Sequence, residues 1–198
     1  MKESDMNSQL HLAENSFEQA HTLEAADDQE KQFIRVREML QAFTKKYPDN
    51  AQGFAQLAQV SGKLALFKGN REKIELGKDT KDAVDRALEL NPKLGLGHAV
   101  LGVWNFELSR LSGIERFFGK ILYGSIPKGD LDEALKHLQT AIALEPKTVF
   151  YRLALAKVLK SMDRKKDAEK QLKIALEIPD SVASDPATKK EIRELLGD

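Results

Sequence analysis

The sequence predicts an all-α fold, a right-handed α-solenoid of about nine to ten helices stacked in pairs, and three observations carry that prediction. Pro48, Pro92 and Pro146 are each followed, nine and ten residues later, by a large residue beside a tiny one: Leu57-Ala58, Leu101-Gly102 and Leu155-Ala156. That is the knob and gap two closely packed helices need. Ala134, Leu138 and Ala141 recur at Ala168, Leu172 and Ala175, each displaced by 34 residues. Apolar stripes at helical spacing alternate throughout with Pro and Gly stops.

Punctuation places the elements in order. A first helical pair covers residues 8–25 and 29–46 and stops at Tyr47-Pro48. A second covers 50–68 and 72–90, broken at Gly69-Asn70 and closed by Asn91-Pro92. The third pair covers 95–112 and 130–144, its second helix ending at Glu145-Pro146. The next pair covers 148–161 and 164–178. Ser184-Asp185-Pro186 then reads as an N-cap with Pro at the first helical position, opening a polar closing helix. The chain thus divides into a degenerate pair at 1–48, units at 49–92, 93–146 and 147–179, and a cap at 185–198.

Two units exceed 34 residues. The spacing Pro48 to Pro92 is 44, and Pro92 to Pro146 is 54, the second excess falling between Arg110 and Asp130. Within this insertion, 113–129, the residues Ile114, Phe117, Phe118, Ile121 and Leu122 sit at i, i+3, i+4, i+7 and i+8, the stripe of an amphipathic helix. Gly113 and Gly124…Pro127…Gly129 punctuate it.

Spacing of 34, with Leu-Gly early and Ala…Ala…Pro late, resembles the tetratricopeptide repeat, a helix–turn–helix unit. A closer resemblance lies in Leu101-Gly102-Val103-Trp104-Asn105-Phe106-Glu107-Leu108-Ser109-Arg110-Leu111-Ser112, then Ile114-Glu115 and Tyr123-Gly124. With Asp132-Glu133-Ala134-Leu135, Ala175-Leu176-Glu177-Ile178-Pro179 and Ser184-Asp185, it is similar to the tetratricopeptide domain of the regulator of microtubule dynamics family, over about residues 50–198. The resemblance implies a helical repeat domain that binds rather than catalyses. Eukaryotic members are tied to microtubules or organelle membranes, some to lipid handling, and similar proteins occur in bacteria.

Composition narrows the function. With 31 Lys+Arg against 31 Asp+Glu, the formal net charge is zero, which argues against a nucleic-acid binder built on bulk basicity. Apolar residues at 41% exclude a disordered chain. No Cys is present, so thiolate zinc sites and thiol nucleophiles are excluded. No uncharged run exceeds 13 residues, too short to span a bilayer. The N-terminus, MKESDMNSQLHLAENSF, has no apolar signal core. A cytoplasmic location is expected, a periplasmic or membrane-associated one following only if an upstream segment has been removed.

Chemistry has no constellation to work with. His11, His21, His98 and His137 are scattered, with no i, i+4 histidine pair and no H-E-x-x-H. Glu133 and His137 at i, i+4 suit helix stabilisation. His98 stands where the repeat usually has Trp, which favours packing. Gly95-Leu96-Gly97 follows a Pro-stopped helix and is no dinucleotide fingerprint. No catalytic, metal or cofactor role is therefore assigned, and the expected partner is a protein or peptide, with a phospholipid or anionic membrane surface as the alternative.

Placed on the repeat, Leu96, Ala99, Val103, Phe106 and Arg110 fall on the concave face, with Phe150, Leu153, Lys157 and Lys160 in the last unit and Gln52, Ala55, Gln59 and Lys63 in the first full one. The groove so built is apolar in its middle and basic at one end, and Trp104 is expected in the core between helices. The carboxylate clamp of chaperone-binding repeats, Lys and Asn at positions five and nine of a first helix, is replaced by Ala55 and Gln59, Ala99 and Val103, Leu153 and Lys157. Charge is segregated: residues 1–30 carry a net of −7 and residues 147–173 a net of +6. The basic stretch, Lys157, Lys160, Arg164 and Lys165 above all, reads as a solvated face or as a contact for an anionic ligand. Ile114, Phe117, Phe118, Ile121, Leu122 and Tyr123 are the candidates for a lid. The leading expectation is that this helix covers the groove; a groove open to a peptide helix or acyl chain is the alternative.

Overall fold

The structure is a computed structural model that describes residues 2–124 and 126–197. Those residues form ten helices and no strand: α1 Lys2–Ala20, α2 Ala26–Lys46, α3 Ala51–Ala65, α4 Asn70–Leu90, α5 Gly95–Ser109, α6 Gly113–Tyr123, α7 Leu131–Leu144, α8 Val149–Ser161, α9 Lys165–Glu177 and α10 Asp185–Leu196. α3 packs on α4, α5 on α7 and α8 on α9, while α2 meets α3, α4 meets α5 and α7 meets α8. Each helix pair thus leans on the next, as in a solenoid.

The prolines stop helices by a local steric rule. A residue before proline is pushed out of the α region. Tyr47 (φ −129°, ψ 72°), Asn91 (φ −143°, ψ 93°) and Glu145 (φ −134°, ψ 75°) share one non-helical conformation, so α2, α4 and α7 end alike. Starts are capped by side chains. Asn50 accepts from the Gly53 amide at 2.8 Å, and Asp130 from Asp132 and Glu133 at 2.8 and 3.1 Å. Ser112 and Glu115 close a reciprocal box at the start of α6.

The core is serial rather than central. One buried cluster, Phe33, Val36, Leu40 and Val60 among its members, ties α1 and α2 to α3 and α4. A smaller one joins Ala58, Ala83, Val84 and Val100, and the largest runs from Ala99 and Leu138 through Leu153 to Ile192. The knob-and-gap pairs lie within this series. Gly102 is buried, and a Cβ there would stand 2.7 Å from Leu138 Cγ and 3.1 Å from the Ala134 carbonyl. Gly53 similarly leaves room for the ring of Phe43.

Three local expectations are corrected. α1 begins at Lys2, six residues before the expected start, because nothing in residues 2–8 breaks a helix. Ser184 is not a side-chain cap: it is itself in the α region and makes no side-chain cap hydrogen bond, and Asp185 instead ties the preceding turn to the helix. The buried Asp185 carboxylate accepts from the Ser181 and Val182 amides, at 2.7 and 3.1 Å, and from the Ser181 hydroxyl. Trp104 is only half-buried, and its indole N–H donates to the Gly77 carbonyl at 2.8 Å, fastening α5 to α4.

Candidate binding groove

The inner faces of α3, α4, α5 and α8 enclose a groove of about 1080 Å³, walled further by α1 and by the segment 181–191. The Ser184 amide donates to Glu18 Oε2 at 3.1 Å, so the solenoid's first helix touches its last turn. The groove is therefore a partly closed ring rather than an open trough.

The first helices of the three units supply its floor in register. Counted from their prolines, position four contributes Gln52, Leu96 and Phe150; position eight contributes Gln56, Val100 and Ala154; position eleven contributes Gln59, Val103 and Lys157. At about 100° per residue, these positions fall on one narrow stripe. Position seven sits to one side, and Ala55, Ala99 and Leu153 are each at most 2% exposed. Ala55 and Ala99 do not line the groove; Leu153 reaches its wall, as does the buried Phe106. Arg110 falls at the C-cap of α5, exposed, its guanidinium over the Phe106 ring and 3.5 Å from Glu107. Lys160 is exposed outside the groove.

The basic end is corrected by α10. Lys157 Nζ lies 2.6 Å from Glu191, so the side chain expected to attract anions already has a carboxylate on it. Arg164 is paired with Asp167 at 2.7 Å and Lys165 with Asp163 at 3.4 Å. Lys63, by contrast, has no ion-pair partner among the described residues; its ammonium lies over the Phe33 ring at 5.9 Å. Burial, with Lys157 nearby, pushes its pKa down. Gln56, 5% exposed, has a side-chain oxygen with no hydrogen-bond partner among the described residues. An orphaned amide oxygen is costly unless something donates to it. His21 lies at the same end, its pKa held down to about 4 by burial and by Lys63, while its Nδ1 bonds the Phe17 carbonyl.

The expected lid is not over the groove. α6 packs against α4, and its stripe faces outward: Ile114, Phe117 and Ile121 are 60–63% exposed and Phe118 37%. The side chains of Leu122 and Tyr123 lie outside the described residues. Polar anchors set this orientation. Glu115 reaches Lys73 on α4 at 2.7 Å, its pKa pulled down to about 2 by that contact and by the Ser112 amide. Arg116 donates to the Leu108 carbonyl at 2.7 Å. From the insertion it is the flanks, Leu111, Ile126 and Pro127, that reach the groove.

Sequence reasoning missed a second pairing. His98 and His137, 39 residues apart, meet at 2.9 Å between their Nδ1 atoms, and Glu133 lies 3.6 Å from His137 Nε2. His98 Nε2 is 2.9 Å from the Pro92 carbonyl, so the pair bridges α5 and α7. Among the described residues no group of three or more His, Cys, Asp or Glu side chains could hold a metal ion. No described helix is long and apolar enough to cross a membrane.

Known proteins agree with this architecture. A thermophilic TPR protein of Thermus thermophilus superposes with a TM-score of 0.59 at 19% identity, covering 98% of this chain and 100% of its own, which is a likeness of fold. Regulator of microtubule dynamics protein 3 of Mus musculus is 29% identical over 163 residues, 82% of this chain and 35% of the mouse protein. Regulator of microtubule dynamics protein 2 of Homo sapiens is 28% identical over 151 residues, 75% of this chain and 37% of the human one. The chain spans about a third of the length of the curated relatives it matches. The family described as regulator of microtubule dynamics protein 1-3 matches residues 1–198, from the degenerate first pair to the capping helix, and this chain belongs to it.

Proposed function

We propose that the chain is a non-catalytic scaffold module that binds a segment of a partner protein in the concave groove, with 49–92, 93–146 and 147–179 acting as its repeat units. The observation that carries the reading is the composition of the floor. Leu96, Val103 and Phe150 offer an apolar track, while Gln52, Gln56 and Gln59 form a row of amides beside it. A row of amides suits a ligand rich in hydrogen-bonding groups. A peptide bond carries both a donor and an acceptor and so serves a glutamine amide in either orientation. Lys63 supplies a cation for an acidic side chain or a chain terminus. The relatives' name makes a cytoskeletal partner the first to try, and a cytoplasmic site of action fits that reading.

A second reading rests on the same apolar track: an acyl chain laid along Leu96, Val103, Phe106 and Phe150, with its head towards Lys63. It leaves Gln52, Gln56 and Gln59 without a use, and for that reason stands second.

The variants Val103→Asp and Phe150→Asp test the groove. Phe150 is exposed, while Val103 is half-buried against the core. Each change places a charge on the floor, and in variants that circular dichroism shows to be folded, binding of the segment should fall by about a hundredfold or more. Unchanged binding by both folded variants would place the interface elsewhere.

A further inference from the structure

We propose that α6 is a membrane-docking helix that lays its outward stripe on the surface of an anionic lipid bilayer. This is independent of what the groove holds.

The helix is turned inside out relative to an ordinary surface helix. Its mid-helix glycine, Gly119, is buried beneath Ile126, and its polar residues Glu115 and Arg116 face the solenoid, where they bond Lys73 and the Leu108 carbonyl. Ile114, Phe117, Phe118 and Ile121 face water. A docked core helix would show the reverse. Contiguous apolar side chains of this size are rare on a free surface and mark a contact.

Charge selects the contact. Residues 113–129 contain Arg116, Lys120 and Lys128 against one acid, Glu115. Glu115 is drawn inward onto Lys73, while Lys120, on the same helix as the stripe, and Lys128, beyond the helix end, stay exposed. An apolar stripe flanked by exposed lysines, with its acid withdrawn, complements an anionic lipid surface.

Area argues against a second copy of this chain. Eleven residues of helix span about 16 Å, and the outward stripe on them is four side chains, Ile114, Phe117, Phe118 and Ile121. A stable protein interface needs roughly 800 Å² from each partner. An interfacial helix has no such threshold, because each side chain enters the bilayer surface on its own.

The test is co-sedimentation of the full chain with vesicles of phosphatidylcholine, alone and with about one third phosphatidylserine. The expected result is binding that is stronger to the anionic vesicles and weakened by salt. Phe117→Asp with Ile121→Asp should weaken it roughly tenfold or more, and Lys120→Glu with Lys128→Glu should remove the preference for anionic lipid. All four side chains are exposed, and circular dichroism with urea unfolding checks that both variants remain folded. No vesicle binding by the wild-type chain, or undiminished binding by Phe117→Asp/Ile121→Asp, overturns the proposal. Self-association lost in that variant, without vesicle binding, overturns it too and assigns the face to a second copy.

Discussion

The close approach of α5 to α7 at Gly102 can be measured as an interaction energy. Gly102→Ala puts a methyl group 2.7 Å from Leu138 Cγ and 3.1 Å from the Ala134 carbonyl, and Leu138, at 0% exposure, has nowhere to retreat. Overpacking of this kind costs about 1–3 kcal/mol. Replacing Gly by Ala in a helix returns about 1 kcal/mol, so a net loss of about 1 kcal/mol is expected. Leu138→Ala empties a fully buried site and should cost about 2–5 kcal/mol. In the double variant the new methyl enters the space Leu138 vacated. Its total should fall short of the sum of the single losses by about 1–2 kcal/mol. Urea unfolding followed by far-ultraviolet circular dichroism reads all four free energies, and equal slopes show that the unfolded state is unchanged. Additivity within about 0.5 kcal/mol, or a Gly102→Ala protein more stable than wild type, would refute the claim that Gly102 exists to receive Leu138.

Stability should depend on pH through His21. Burial keeps its folded pKa near 4, below the free value of 6.5, so between those values the unfolded chain binds a proton that the folded chain refuses. The stability is complete above pH 6.5 and is lost as pH falls towards 4. His137, shifted down by burial and by His98, adds in the same direction. Urea midpoints at pH 7, 5.5 and 4 should fall in order for the wild type and less steeply for His21→Phe; parallel curves would show that His21 is not protected. Glu18→Ala removes the hydrogen bond to the Ser184 amide at a cost of no more than about 1.5 kcal/mol. Hydrogen exchange at Val182 and Ser184 should speed up in this variant, and unchanged exchange would mean that the ring closes by other contacts.

Local chemistry made the fold legible. Pro48, Pro92 and Pro146 act on the residue before them, and Gly102 on the helix next to it, so both effects are visible in short stretches of sequence. The candidate groove was legible to within one position of helical register. Ala55, Ala99 and Leu153 lie about 60° from the stripe that forms the floor, a difference that apolar periodicity cannot resolve when small and large residues share a face. What remained hidden depends on pairs distant in the chain. Nothing near Lys157 announces Glu191, nothing near Glu115 announces Lys73, and nothing near Glu18 announces Ser184. The stripe of α6 was plain in the sequence, but which side of it meets water was set by those polar anchors. An amphipathic pattern specifies two faces without specifying which neighbour takes them.

The claim at the centre of this account is that the concave groove receives a protein segment. The most direct measurement is photo-crosslinking from a benzophenone side chain at Val103, and separately at Phe150, in cells that express the chain, with mass spectrometry of the products. The account predicts adducts with one peptide segment from both positions, and none of that segment when the benzophenone is moved to exposed Lys160, outside the groove. Adducts with the mass of a phospholipid, or peptide adducts from Lys160 alone, would contradict it.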